Sequence, residues 1–276
     1  MAWSLSIVIP AYNEQNRIGR TLDEILRFLK TQNYHAEVIV VDDGSTDETA
    51  LRVAERTGQY HDHGHQLRVL VNNPNRGKGY SVKRGLTDAT GEILLFTDAD
   101  LSSPITEAPK LVDPIAEGRA DVTFGSRALN PELIGVHQPR MRELGGTVFN
   151  LCMRTITGLK FKDTQCGFKA FRREAALPVF PLQRIERFGF DPEVLYIAKK
   201  QGNRLLEVPV VWDHCEGGEL QNKFNYVRDS INMFADLIRI RLNDLAGRYK
   251  SRRAGFQIES SKAPEQANKR AVGRVD

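Results

Sequence analysis

Short apolar runs alternate with helix-forming segments through the first half of this chain of 276 residues. The runs of strand length lie at 5–10, 37–41, 67–71, 92–97 and 121–124. Helical patterns occupy the gaps, at 17–30, at 46–57, from about Gly79 and after Pro104. Ser45, with Glu48 three residues later, predicts an N-cap for the second helix. The alternation predicts an α/β fold, a doubly wound, Rossmann-like, mostly parallel sheet flanked by helices.

The second half is less regular. We expect a helix near 144–156, an ordered segment at 164–171, a helix after Asp191, a strand at 204–212 and a long amphipathic helix at about 224–245. That last helix fits either packing on the domain or lying in a membrane interface. Beyond it, 250–276 is basic and has little aliphatic periodicity, which predicts a disordered tail after a single domain at 1–249.

Composition narrows the classes of function. The net charge of +4 comes without a long basic block, so an anionic substrate or a membrane surface fits and a nucleic-acid partner is not expected. The 3 cysteines are far apart, which disfavours a zinc site or a disulfide framework and favours a reducing compartment. The first residues have no signal-peptide pattern, and no apolar run approaches ~20 residues. We expect a cytoplasmic protein; peripheral attachment at the cytoplasmic face of a membrane stays open at this point.

Two acids follow the fourth apolar run, in Phe96-Thr97-Asp98-Ala99-Asp100. Parallel sheets bind ligands at the carboxyl ends of their strands, so Asp98 and Asp100 are expected there. Paired carboxylates are hard oxygen ligands that suit Mg²⁺ or Mn²⁺ carrying a diphosphate, whereas the simpler alternative is a solvated turn. Asp42 and Asp43 end the second strand and face the same crevice. Acids at two strand ends favour a binding site over two unrelated turns.

Basic residues are expected near the same crevice. Neither a G-x-G-x-x-G fingerprint nor a P-loop is present, which disfavours NAD and P-loop chemistry. Instead 76–79 reads Arg-Gly-Lys-Gly before the third helix, where Lys78 and nearby backbone N–H groups could cradle a phosphate. Arg127 ends the fifth strand and could clamp an anion. The alternating histidines at 61–65 lie in a polar loop and are more typical of a loop than of a metal site.

Five segments occur in the order seen in family-2 inverting glycosyltransferases of the GT-A fold. They are 10–14 (PAYNE), 41–45 (VDDGS), 75–79 (NRGKG), 98–100 (DAD) and 125–127 (GSR). Downstream, 163–169 (DTQCGFK) and 188–193 (FGFDPE) resemble the branch that contains dolichyl-phosphate β-glucosyltransferases and lies close to dolichyl-phosphate mannose synthases. The resemblance covers roughly residues 4–249.

The resemblance implies a role for each matching position on the donor side. Asp98 and Asp100 would hold a divalent metal together with the donor diphosphate and ribose. Residues expected to contact the nucleotide-sugar are Pro10, Tyr12, Glu14, Asp42, Asp43, Lys78 and Ala99. Arg127 would contact phosphate and assist catalysis.

On the acceptor side, the resemblance implies that Arg140 or Arg142 receives a lipid phosphate from the membrane. Lys223 falls where the family has a Ser-Lys pair near the diphosphate, but Asn222 precedes it here, which departs from the pattern. Asp191 is a catalytic candidate, and its structural alternative is a helix N-cap before Pro192.

The implied reaction is transfer of a hexose, most simply glucose from UDP-glucose, to polyprenyl phosphate with inversion. A phosphate acceptor is already ionised at neutral pH and needs no general base. A hydroxyl acceptor would need one, and Asp191 or Glu193 would then be the candidate. GDP-mannose as donor stays open. A nucleotidyltransferase is a further alternative that would want a glycine-rich basic loop after the first strand. A non-catalytic nucleotide-sugar binding module would not need both Asp98 and Asp100.

Overall fold

The computed structural model describes residues 4–136, 140–213 and 223–250. The predicted tail therefore lies outside the described residues from position 251 onward. A mixed sheet of seven strands forms the centre, in the order β3-β2-β1-β4-β7-β5-β8. The strands are β1 Leu5–Ala11, β2 Ala36–Asp42, β3 Gln66–Val71, β4 Ile93–Thr97, β5 Val122–Ser126, β6 Ile134–Val136, β7 Phe168–Arg172, β8 Leu205–Pro209 and β9 Trp212–Asp213.

Helices cover both faces of this sheet. They are α1 Ile18–Leu29, α2 Thr49–Ala54, α3 Thr57–Asp62, α4 Lys78–Asp88, α5 Ala108–Ala116, α6 Arg140–Thr157, α7 Arg173–Val179, α8 Phe190–Lys200 and α9 Lys223–Leu245. Because side chains alternate along a strand, β1 sends Ile7 and Ile9 into one core and Val8 into the other. The first core packs under α1, α2, α3 and α5, and the second under α4 and α6 to α9.

One strand runs against the rest of the sheet. β7 is antiparallel to both of its neighbours, β4 and β5, whereas the other pairs in the sheet are parallel. The sequence predicted order at 164–171 but not this insertion. In the register of β4 with β7, Thr97 lies opposite Phe168. The residues before β7 therefore meet the residues after β4.

Two details of the predicted elements are wrong. Ser45 does not cap the second helix, because its hydroxyl donates to Asp42 and accepts from the backbone N–H of Asn13. The helix begins later, at Thr49, and its N-cap residue is Glu48. The predicted strand at 204–212 is also shorter: β8 ends at Pro209, and Trp212–Asp213 pairs with β6 in a separate two-stranded sheet.

The long helix predicted at 224–245 is present as α9. Its buried face carries Leu237 and Ile240, and it packs on α6 through the rings of Phe149 and Phe234, whose centroids are 5.4 Å apart. In the described part of the chain, no helix combines the length and the apolar character needed to cross a bilayer.

Candidate functional site

The carboxyl ends of β1, β2 and β4 meet at one edge of the sheet, as the parallel register requires. The loops that follow β1 and β4 are conformationally unusual. Asn13 (φ 54°) and Leu101 (φ 48°) are the two residues other than glycine that have positive φ in the described part of the chain. Such backbone is uncommon for these side chains and concentrates at functional sites. Both lie at the edge that the sequence predicted to bind a ligand.

Asp98 follows β4 directly, and its carboxylate faces a cation. The ammonium of Lys78, the first residue of α4, lies 2.5 Å from Asp98 Oδ1. Burial works against charge on Lys78, but the charges of Asp98 and Asp191 hold the pKa of its ammonium above its ordinary value. The backbone N–H of Ser102 donates to Asp100 Oδ1 at 2.9 Å, which fixes the second acid of the pair. The structure thus brings Lys78, Asp98 and Asp100 together.

Gly167 makes room for the Asp98 carboxylate. A Cβ atom at position 167 would overlap Asp98 Oδ2 and Cγ, far inside van der Waals contact. This contact follows from the antiparallel register that sets Phe168 opposite Thr97. Gly167 lies in the 163–169 motif, but its spatial role was invisible in the sequence.

We therefore expect Gly167→Ala to reorient Asp98 and to lower activity about tenfold, a loss of roughly 1.4 kcal/mol of transition-state stabilisation. The thermal unfolding temperature should change little, because Asp98 reorients toward the open side of the site. Steady-state kinetics and thermal unfolding measure the two effects. Gly58→Ala on α3, where nothing lies within 4 Å of the added carbon, is the matched glycine control. Unchanged kinetics for Gly167→Ala would show that Gly167 does not set the position of the Asp98 carboxylate.

A buried ion pair lies beneath Asp98. Lys169, fully buried on β7, donates from Nζ to Asp191 Oδ1 at 2.6 Å and to the carbonyl of Cys166 at 2.5 Å. Burial raises the pKa of Asp191 in spite of the charges of Lys169 and Lys78. Asp191 lies in the first turn of α8, and the N-cap is Gly189, so the predicted N-cap role of Asp191 is wrong. The ion pair with Lys169 takes its place.

Arg127 is also held by a carboxylate. Its Nε and Nη2 donate to Asp163 at 2.6 and 3.0 Å, and its backbone N–H donates to the same group. Burial would raise the pKa of Asp163, but Arg127 outweighs it and lowers the pKa to about 2. The guanidinium lies 5.4 Å from the ring of Trp212. Two of its nitrogens thus donate to Asp163, and the predicted contact of Arg127 with a phosphate stays a prediction.

Glu14 lies in the loop after β1 and pairs with Arg17 at 2.7 Å. Burial raises its pKa to about 6; Arg17 opposes the shift, and the negative charges of Asp100, Asp47 and Asp98 add to it. Glu14 therefore belongs to the same electrostatic cluster as the two acids after β4, and its predicted contact with the nucleotide stays a prediction. Its backbone N–H donates to Thr49 Oγ1 at 2.8 Å, which ties this loop to α2.

The raised pKa of Glu14 has a consequence for stability without metal. An acid whose folded pKa lies above its unfolded value destabilises the fold as pH rises from 4.5 through about 6. Glu14→Gln, which resembles the protonated form, should therefore be more stable than the wild type at pH ~7.5 by about 2 kcal/mol. The difference should vanish as the pH approaches 4.5. Urea unfolding at both pH values measures it, with the exposed Glu117→Gln as control. Equal stabilities at the higher pH would contradict the shift.

Asp42 and Asp43 have different surroundings although they are adjacent. Asp42 Oδ1 accepts from the backbone N–H and the hydroxyl of Ser45. Asp43 is 4% exposed, and its oxygens accept from the side chain of Asn72 and the backbone N–H groups of Arg76 and Gly77. The structure gives Asp43 a visible task, which is to fix the loop before α4. Its predicted contact with substrate stays a prediction.

The two glycines around Lys78 serve close packing. A Cβ at Gly77, whose φ is 107°, would come within 2.7 Å of the Glu186 carbonyl. At Gly79, a Cβ would lie 2.8 Å from the carbonyl of Ile185. The backbone N–H of Tyr80 donates to the same Glu186 carbonyl at 3.0 Å. These glycines are explained by the segment packed on them, so the predicted phosphate cradle rests on Lys78.

The remaining predicted positions fall into three groups. Tyr12, which follows β1, is 49% exposed. Pro10 is buried near the end of β1, and Ala99 is buried in the loop after β4. Arg140 and Arg142 lie in the first turns of α6, and Lys223 begins α9, but their side chains lie outside the described residues. Among the side chains that the structure describes, no three His, Cys, Asp or Glu converge to hold a metal, and this includes the histidines at 61–65.

Sequence reasoning missed Lys169 and Asp163 as functional neighbours. Both stand in the 163–169 motif, and Lys169 interrupts the otherwise apolar Phe-Lys-Ala-Phe of β7. A lysine inside a buried strand needs a charge partner, and that rule was the available signal.

Comparison with known proteins shows the family of this chain. The model of the family described as Glycosyl transferase family 2 matches residues 6–180. A dolichyl-phosphate beta-glucosyltransferase of Dictyostelium discoideum is 35% identical over 89% of this chain and 76% of its own length. The Homo sapiens protein of that name is 34% identical over 89% of this chain and 77% of its own.

A solved structure has the same fold. Glucosyl-3-phosphoglycerate synthase from Mycobacterium tuberculosis, in complex with Mn²⁺, UDP-glucose and phosphoglyceric acid, aligns with a TM-score of 0.62 and 21% identity. The alignment covers 86% of this chain and 79% of that one. The predicted mostly parallel GT-A sheet is therefore confirmed. Sequence and fold agree that the chain belongs to glycosyl transferase family 2.

Proposed function

We propose that this protein transfers glucose from UDP-glucose to a polyprenyl phosphate with inversion, giving a β-linked lipid-phosphate sugar. The observation that carries the proposal is the similarity, over 89% of the chain, to relatives named dolichyl-phosphate beta-glucosyltransferase. The family model matches the stretch that contains the acids after β2 and β4 (Asp42, Asp43, Asp98 and Asp100) and the 163–169 motif.

The donor side of the site suits a divalent cation held together with a diphosphate. Asp98 and Asp100 offer oxygen ligands, and Gly167 leaves space for the Asp98 carboxylate. Mg²⁺ and similar hard ions commonly take one or two carboxylates and complete their shell with substrate phosphates and water. The residues present therefore fit such an ion, and Asp98 and Asp100 would be its protein ligands. The chemistry that a bound Mg²⁺ or Mn²⁺ would supply is neutralisation of the departing diphosphate.

The chain's own cations act on the same charge. Lys78 lies beside Asp98 and can contact a diphosphate oxygen. Arg127 can contact one through Nη1 while Asp163 holds its orientation. Preorganised cations of this kind stabilise charge that develops in the transition state without reorganising. Glu14 and Tyr12 line the mouth where the nucleoside would enter.

The acceptor in this proposal brings its own nucleophile. An ionised phosphate oxygen attacks the anomeric carbon from the face opposite the diphosphate, the new C–O bond forms as the bond to UDP breaks, and no proton is removed. Asp191, paired to a fully buried Lys169, is well suited to fix the floor of the site. Glu193 also has a structural task, because it accepts hydrogen bonds from the backbone of Ile185 and the hydroxyl of Tyr249.

The lipid acceptor implies contact with a membrane surface. Helix α9 exposes Ile238, Leu242 and Leu245, spaced to lie on one face, and Arg239 and Arg241 lie beside them. This helix packs on α6, whose first turns carry Arg140 and Arg142, the predicted acceptor-phosphate residues. An interfacial helix would thus place the lipid phosphate near the start of α6.

We expect Leu242→Asp to weaken binding to vesicles of phosphatidylcholine and phosphatidylserine severalfold, because it places a charge on the apolar face. Co-sedimentation at constant salt measures this. Leu51→Asp, at an exposed leucine on α2 (52% exposed, against 58% for Leu242), is the matched control. Equal sedimentation of both variants with the wild type would show that this face is not the membrane contact.

The decisive test of the function is an extraction assay. Radiolabelled UDP-glucose, GDP-mannose and UDP-N-acetylglucosamine are each supplied with polyprenyl phosphate and Mn²⁺. The expected result is label in the organic phase with UDP-glucose alone, and a β-anomeric phosphate by NMR of the product. Label from another donor would change the sugar in the proposal. Donor hydrolysis with no lipid product would overturn the acceptor.

A further inference from the structure

Lys78 is held by a rigid support rather than by a flexible loop. Asp43 accepts the backbone N–H groups of Arg76 and Gly77 at 3.0 and 2.6 Å, directly before Lys78. On the other side, the segment around Glu186 packs on Gly77 and Gly79 and leaves no space for a Cβ at either. The lysine therefore enters the site from a fixed backbone position at the start of α4.

The ammonium of Lys78 contacts the carboxylate that a metal would use. It lies 2.5 Å from Asp98 Oδ1, and the Asp98 carboxylate is about one-third exposed, so its environment is only partly solvent. A divalent ion bound to this oxygen at ~2.1 Å would lie within a few ångström of the ammonium. At that separation the repulsion between the two cations is large in a partly buried site.

The other cations of the site have carboxylate partners of their own. Lys169 pairs with Asp191, Arg127 with Asp163 and Arg17 with Glu14. Lys78 alone, among these four, pairs with an acid that the metal would use. If the metal takes Asp98, the ammonium needs another anion, and a diphosphate bound at the same edge supplies one.

We propose that the ammonium of Lys78 neutralises Asp98 before any ligand binds. A metal ion that binds Asp98 displaces this ammonium, which then pairs with the nucleoside diphosphate, so that the two ligands bind cooperatively. The inference rests on the proposed function only in taking a nucleoside diphosphate as the donor's leaving part. It goes further by assigning Lys78 a role before the donor arrives: it restrains the site from filling with metal alone.

Mn²⁺ binding measured by electron paramagnetic resonance, without and with saturating UDP, tests this proposal. In the wild type we expect UDP to tighten Mn²⁺ binding roughly 5- to 150-fold, after correction for the Mn²⁺–UDP complex in solution. In Lys78→Met, Mn²⁺ alone should bind roughly tenfold more tightly than in the wild type, and the gain from UDP should shrink by a similar factor. Direct contacts between phosphate and metal keep part of the coupling in both proteins, so the comparison between them is the readout.

Two further proteins complete the experiment. Lys78→Gln keeps a hydrogen-bond donor without the charge and should shift in the same direction as Lys78→Met. Lys110, on the first turn of α5, is an exposed lysine that pairs with Glu107. The variant Lys110→Met should behave as the wild type. If Mn²⁺ alone binds both Lys78 variants no more tightly than the wild type, the counter-cation role is wrong. That result leaves the extraction assay untouched, and a failure of that assay does not alter the Mn²⁺ isotherms.

Discussion

Asp98→Asn should lower sugar transfer by at least about 10²-fold while the fold stays intact. The substitution keeps the size of the side chain but removes the charge that faces Lys78 and the proposed metal. Stability should change by no more than about 1 kcal/mol, because the carboxylate is about one-third exposed and its ion pair is with one lysine, Lys78. The measurements are initial rates of lipid-product formation and thermal unfolding.

The matched control is Asp62→Asn, the same chemical change at an exposed residue at the end of α3. Asp43→Asn is a useful contrast: its carboxylate organises the loop before α4, so we expect it to lose stability along with activity. An active Asp98→Asn protein with normal Mn²⁺ affinity would remove Asp98 from the metal site. A poorly folded one would instead make Asp98 a structural residue.

The second large effect concerns the buried pair between Lys169 and Asp191. Lys169→Met should destabilise the fold by about 3–5 kcal/mol, because it leaves the Asp191 carboxylate buried without its ammonium partner. Methionine fits the volume of the lysine stem, so the charge rather than a cavity dominates the loss. Urea unfolding at neutral pH measures the change in the free energy of unfolding.

The double variant Lys169→Met with Asp191→Asn separates the structural and catalytic roles of Asp191. Removing both charges should recover much of the lost stability, because no uncompensated ion is left in the core. If the recovered protein also transfers sugar, Asp191 supports the site without touching substrate. If it folds and is inactive, transfer needs at least one of the two charges, and Asp191 stays a catalytic candidate. A Lys169→Met protein as stable as the wild type would contradict the energetic role of the pair.

The sheet and the binding edge could be predicted because they depend on local pattern. Each strand of the first half is an apolar run bounded by turn residues, and parallel strands place their carboxyl ends together. Asp42, Asp98 and Lys78 were therefore expected at one edge, and the structure brings them there. The long helix α9 was predicted for the same reason, since its apolar spacing extends over several turns.

Contacts that depend on distant pairing could not be predicted. Nothing local in 164–171 says that this segment enters the sheet antiparallel, and so the meeting of Gly167 with Asp98 was invisible. The helix caps failed for a related reason. Ser45 and Asp191 have the local chemistry of N-caps, but a hydrogen bond to Asp42 and an ion pair to Lys169 compete for them.

The inserted strand β7 also bears on the order in which the protein is made. β5 does not pair with β4; it joins the sheet only through β7, which begins about forty residues later in the chain. During synthesis the first four strands can therefore associate as they leave the ribosome, while β5 waits with both edges unpaired. The floor beneath Asp98 is completed in that same late step. A ribosome stalled between β5 and β7 would hold a chain in which β1 to β4 can already pair. Gly167, Lys169 and Asp191, which complete the surroundings of Asp98, would not yet have been made.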